Sequence, residues 1–108
     1  MEVWFNPSCS KCRASKELLD EAGVEWTERR YLDDPPTVAE IEHVLDLLGA
    51  EPREITRPEG LKDAPQDRAA WVKYLADNPA FLQRPIVITD DGRAVIGRPP
   101  EKILDLLR

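Results

Sequence analysis

Asn6-Pro7-Ser8-Cys9-Ser10-Lys11-Cys12-Arg13 lies between a short apolar segment, Glu2 to Phe5, and a run with helical spacing, and it holds both cysteines of the chain. A strand, an Asn-Pro break and a helix that opens on a C-x-x-C place Cys9 at the start of that helix. There the unpaired backbone N–H groups and the positive end of the macrodipole favour thiolate, the form that attacks. Lys11 and Arg13 add positive charge close by.

Other readings of the pair are weaker. A disulfide across a C-x-x-C closes a very small loop and constrains the unfolded chain little. A structural zinc site needs four ligands, and beyond the two cysteines the chain offers only His43 as an imidazole. Two inert buried thiols would leave the Asn-Pro turn and the adjacent basic residues without a purpose. No metal is expected.

With 108 residues and 42% hydrophobic content, the chain has the size of one ordinary domain, residues 1–108. No apolar run reaches the length of a membrane span, and the N-terminus enters a strand without the sections of a signal peptide. A cytoplasmic location is expected, where a C-x-x-C is kept reduced. The net charge of -6 argues against a nucleic-acid partner. Arginines that gather against that overall sign are therefore worth following.

Val3 and Phe5 should face one side of the first strand and Trp4 the other. Ala14, Leu18, Leu19 and Ala22 mark the helix from Ser10 to Ala22, ended by Gly23. Val24 to Tyr31 alternates as a second strand. After Asp33-Asp34-Pro35-Pro36, Thr37 with Glu40 forms a capping box, and Val38, Ile41, Val44, Leu45 and Leu48 make the buried stripe of a helix ending at Gly49. His43 lies beside that stripe as a surface residue. From Glu51 to Ala64 the pattern is weak, with a short helical piece around Arg53 to Arg57 and a loop through Pro58-Glu59-Gly60. Asp67 to Asn78 reads as a helix with Ala70, Trp71, Tyr74 and Leu75 inward. Pro85 to Thr89 is a central strand, Asp90-Asp91-Gly92-Arg93 a hairpin turn, and Ala94 to Ile96 its antiparallel partner. A last helix, Pro100 to Leu107, buries Ile103, Leu104 and Leu107. The order predicts an α/β chain of thioredoxin-like type: a mixed four-stranded sheet flanked by helices, with a helical insertion in the middle. Such folds place a cis-proline against the reactive cysteine, and Pro85 is the candidate.

Asn6-Pro7-Ser8-Cys9 with Arg13, Arg84-Pro85-Ile86-Val87 and Gly97-Arg98-Pro99-Pro100-Glu101 together resemble the glutaredoxin-coupled arsenate reductase family, nearly end to end. The resemblance implies reduction of arsenate to arsenite at one catalytic cysteine, Cys9, with the anion held by Arg57, Arg84 and Arg98. Arg53 competes with Arg57 for the third place. It implies no bound cofactor, and an external thiol reductant: glutathione with glutaredoxin, or thioredoxin. Phosphate and sulfate should mimic the substrate. Where the prototype has a non-thiol residue three positions after the nucleophile, this chain has Cys12, either a resolving thiol or a spectator on the first helical turn.

The residue types suit that chemistry on physical grounds. Arsenate is a tetrahedral dianion at neutral pH, and planar guanidinium forks bind pairs of its oxygens. The helix start adds an anion cradle, with Ser8, Ser10 and Arg13 as further donors and Asn6, Pro7 and Pro85 shaping the site. The loop from Glu59 to Asp67 is a candidate lid. Two other functions fit a C-x-x-C at this place: an Spx-type redox regulator that binds RNA polymerase, and a general thiol-disulfide oxidoreductase.

Overall fold

A computed structural model of the chain describes residues 1–107. Four strands, β1 (Glu2–Phe5), β2 (Thr27–Arg30), β3 (Ile86–Ile88) and β4 (Ala94–Ile96), form one sheet in the order β2-β1-β3-β4. β1 and β2 run parallel, joined through helix α1 (Ser10–Glu21), while β3 is antiparallel to both β1 and β4. Helices α2 (Val38–Leu48), α3 (Pro58–Leu61) and α4 (Arg68–Asp77) lie between β2 and β3 in sequence, and a 3-10 helix, Pro100–Leu107, closes the described chain. This is the α/β arrangement expected, a mixed four-stranded thioredoxin-like sheet with helical cover and a helical insertion.

The two-residue period of the strands divides the core between the sheet faces. Trp4 and Ile86 pack on one face with Ile41, Val44 and Leu45 of α2 and Val72 and Leu75 of α4. Val3, Phe5 and Val87 pack on the other with Cys12 and Leu19 of α1 and Ile103 and Leu106. Both faces being covered, the reactive loop can only sit at a sheet edge, beyond the C-terminal end of β1.

Several boundaries differ from the sequence reading. β2 begins at Thr27 rather than Val24. The Val24 N–H is taken by Leu19 O at 3.2 Å in the turn that ends α1, around Gly23 at φ 70°. Trp26 turns back to α1, its Nε1 donating to Asp20 at 3.0 Å. The Thr37–Glu40 capping box forms as expected and Gly49 ends α2 in the left-handed region, yet Val38 is 44% exposed. Pro58-Glu59-Gly60 opens a short helix instead of a plain loop. In α4 the buried residues are Val72 and Leu75, with Trp71 and Tyr74 only partly covered and Ala70 exposed. In the last segment Leu106 takes the place expected of Leu104 and Leu107. The reason is geometric: in a 3-10 helix side chains three apart eclipse, so Pro100, Ile103 and Leu106 share the buried edge.

Candidate active site

Cys9 is the N-cap residue of α1, extended at φ -93° and ψ 125°, with no side-chain cap of its own. Asn6 holds the loop that presents it. The Asn6 carbonyl accepts the Cys9 N–H at 3.0 Å, its side-chain oxygen accepts the Ser8 N–H at 3.0 Å, and its own N–H donates to Cys12 Sγ at 3.4 Å. Cys9 is partly exposed and Cys12 fully buried, and both are free thiols.

Their environments drive the two thiols apart. Burial pushes the Cys9 pKa up, but the Cys12 N–H, the Arg84 guanidinium, the Lys11 N–H and the Cys12 thiol outweigh it and bring it from 9.0 down to about 7. Burial pushes Cys12 up to about 12, eased by the Asn6 N–H and reinforced by the charge on Cys9. Near neutral pH, therefore, about half of Cys9 is thiolate while Cys12 stays a protonated thiol.

Arg84 and Arg98 come to the same cysteine from the two sides of the β3–β4 hairpin. Arg98 Nη2 stands 3.7 Å from Cys9 Sγ, and its Nε donates to the Arg84 carbonyl at 2.7 Å. Arg84 Nη1 reaches the Ala80 carbonyl at 3.3 Å. The Arg84–Pro85 bond is cis, as expected of Pro85, and so is Arg98–Pro99. Gly97 lets the two segments meet: its N–H donates to Pro85 O at 2.9 Å, and a Cβ there would fall 2.9 Å from the Pro85 ring and 3.1 Å from Ser15 Oγ.

Arg57 is anchored by a different route. Residues 55–57 lie along 81–83, with Gln83 N–H on Ile55 O at 2.8 Å and Arg57 N–H on Phe81 O at 2.7 Å. The Arg57 side chain pairs with Glu59, Nε to Oε2 at 2.7 Å. That pairing is the first cause of the lowered Glu59 pKa, to which the charge of Arg84 also contributes. Arg53, the competitor, lies over the Trp71 ring at 5.7 Å. Of the loop considered as a lid, the beginning is anchored: Gly60 is buried against Phe81, and its carbonyl accepts from Tyr74 Oη at 2.8 Å.

The remaining candidates are placed less directly. Arg13 donates to the Pro7 carbonyl, Nη1 to O at 3.1 Å, where it ties the loop to α1. Ser8 and Ser10 are exposed on either side of Cys9. Hollows lined by Met1, Glu2, Trp26 and Asp90, and by Trp4, Glu40, His43 and Thr89, lie toward the Glu2 end of β1 and include neither cysteine. Among the described residues no cluster of His, Cys, Asp or Glu could hold a metal ion. Nor is any described helix long and apolar enough to cross a membrane. Sequence reading missed Tyr31, a buried phenol one residue past β2 beside Asn6, because an aromatic at a strand end reads as core.

A partly exposed low-pKa thiolate flanked by guanidinium groups can attack an oxyanion that those groups neutralise. A Streptomyces viridochromogenes protein designated "Uncharacterized protein in glnII region" is 48% identical, covering 99% of this chain and 98% of its own length. The arsenate reductase of Neisseria meningitidis is 38% identical over 95% of this chain and 94% of its own. The solved structure of arsenate reductase from Vibrio cholerae superimposes with a TM-score of 0.86 at 33% identity, covering 97% of each chain. The ArsC family model matches residues 4–106, and the chain belongs to the ArsC family.

Proposed function

We propose that this protein reduces arsenate to arsenite in the cytoplasm, with Cys9 as nucleophile. The observation that carries the reading is the convergence of two guanidinium groups on one ionised thiol, with Arg98 3.7 Å from its sulfur and Arg84 holding its pKa down. Arg84 and Arg98 bind the oxyanion through its oxygens, and Arg57 completes the ring on exchanging its Glu59 partner for the substrate. Cys9 thiolate attacks arsenic(V), a sulfur–arsenic bond forms, and one arsenate hydroxyl takes up a proton from solvent and leaves as water.

A second thiol then attacks the Cys9 sulfur. The sulfur–arsenic bond breaks with its electron pair on arsenic, which leaves as arsenite in the +3 state, while the two sulfurs are oxidised to a disulfide. The attacking thiol's proton is carried off by the departing arsenite. Cys12 is that thiol: it lies within the first turn of α1, three residues after Cys9, and is buried and protonated while Cys9 is charged. An external dithiol of the thioredoxin or glutaredoxin class, or glutathione with glutaredoxin, reopens the Cys9–Cys12 disulfide.

The test is arsenite production by the reduced protein with each donor in turn. Arsenite formed by the wild type, none by Cys9→Ser and at least tenfold less by Arg98→Gln supports the reading. Disulfide reduction without arsenite, insensitive to Arg98→Gln, would make the protein a general thiol oxidoreductase instead.

A further inference from the structure

Among the described residues two buried side-chain polar atoms lack a hydrogen-bond partner, Tyr31 Oη and Arg84 Nε. Buried polar groups are ordinarily paired, so each calls for an explanation. Both belong to one place. Phe5 pairs with Arg30, so Asn6 and Tyr31 are the next residues along the two parallel strands, at the edge from which the Cys9 loop springs. The Tyr31 ring is 1% exposed and sits in the core with Trp4 and Ile41. The groups that act on its hydroxyl, after burial itself, are Arg84, Cys12, the Asn6 side chain and Cys9; Asn6 donates toward the phenol oxygen without reaching hydrogen-bond geometry and leaves the O–H itself unpaired.

We propose that Tyr31 Oη and Arg84 Nε form an inner oxygen subsite, which takes one oxygen of the bound tetrahedral oxyanion while Arg98 holds the outer ones. The inference rests on the oxyanion-binding reading above and adds a residue to it. A hydroxyl and a guanidinium N–H are both donors suited to an anionic oxygen. Leaving them unpaired until the anion arrives is costly for the empty protein, and that cost gives the proposal its signature. If the subsite is empty or weakly hydrated without anion, removing the hydroxyl should help the free protein and harm only the complex.

The test is Tyr31→Phe, with inorganic phosphate as the probe and isothermal titration and thermal melting as readouts. Phosphate turns nothing over, so binding is read apart from chemistry. The expected result is an anion-free melting temperature equal to or above wild type, with phosphate bound about tenfold or more weakly, the loss typical of one hydrogen bond to a charged group. Unchanged phosphate affinity in Tyr31→Phe would overturn the subsite, as would a lowered anion-free melting temperature, which would mean the hydroxyl serves the fold. Arg98→Gln separates this from failure of the underlying reading. If wild type binds phosphate, Arg98→Gln does not and Tyr31→Phe does, the oxyanion site stands and only the Tyr31 assignment falls. If Arg98→Gln binds as wild type does, the oxyanion site itself is refuted.

Discussion

Replacing Arg84 with Gln should raise the Cys9 pKa, and the size of the rise follows from the site. Cys9 titrates at about 7 against an ordinary 9.0, and after burial, which opposes the shift, the Cys12 N–H and the Arg84 guanidinium are the leading causes. A hydrogen bond to a charged group is worth about 1.5–3 kcal/mol and one pKa unit about 1.4 kcal/mol; discounted for the partial exposure of Cys9, loss of Arg84 should move the midpoint up by about one unit. At pH 7 the thiolate fraction would fall from about one half to about one tenth, roughly fivefold. A more basic thiolate is also a better nucleophile, which recovers a factor of about 2–3, so the rate at pH 7 should drop only about twofold. The midpoint is thus the better observable. Iodoacetamide labelling of Cys9, followed from pH 5 to 10 by peptide mass, reads it directly, and Cys12 should stay unlabelled because it is fully buried. A wild-type midpoint near 9, or one that Arg84→Gln leaves in place, would refute the reasoning.

Other consequences can be checked by simpler means. Gly97→Ala should destabilise the protein by about 1–3 kcal/mol in a denaturant melt, since the added methyl meets the rigid Pro85 ring at 2.9 Å. Glu40 caps α2 and grips Arg29 of β2, and Arg29 first, with Thr37, holds its pKa at about 2 against an ordinary 4.5. Because the folded pKa is the lower one, its stabilisation is full above pH 4.5 and is lost as pH falls through about 2. Glu40→Ala should cost about 1–2 kcal/mol at pH 7 and flatten the loss of melting temperature across that acid range. Cys12→Ala should leave the Cys9 labelling midpoint within about one unit of wild type while abolishing the intramolecular disulfide, so that the two thiols a mild oxidant consumes per wild-type chain are no longer lost as a pair.

Much of the site was legible because its parts are local. A cysteine at a helix start, an Arg-Pro ahead of a β-branched strand, an Asp-Gly hairpin and a Thr-x-x-Glu box each carry their geometry within a few residues. The alternation of Val3 and Phe5 against Trp4 likewise foretold the division of β1 between the two core clusters. What sequence reading missed depends on neighbours far along the chain or on a change of helical period. Val24 looks like strand until the end of α1 claims its N–H, and Leu106 looks like surface until the last segment winds as 3-10. Tyr31 is unremarkable in one dimension, and only the pairing of β1 with β2 sets it under the reactive loop.

The most direct test of Cys9 chemistry on arsenate is a single-turnover count: fully reduced protein mixed with arsenate and no other thiol, with arsenite and free thiols measured together. Two thiols lost for each arsenite released, and no arsenite from Cys9→Ser, is the predicted result. No arsenite here, and none on adding glutathione with glutaredoxin or thioredoxin, would contradict it.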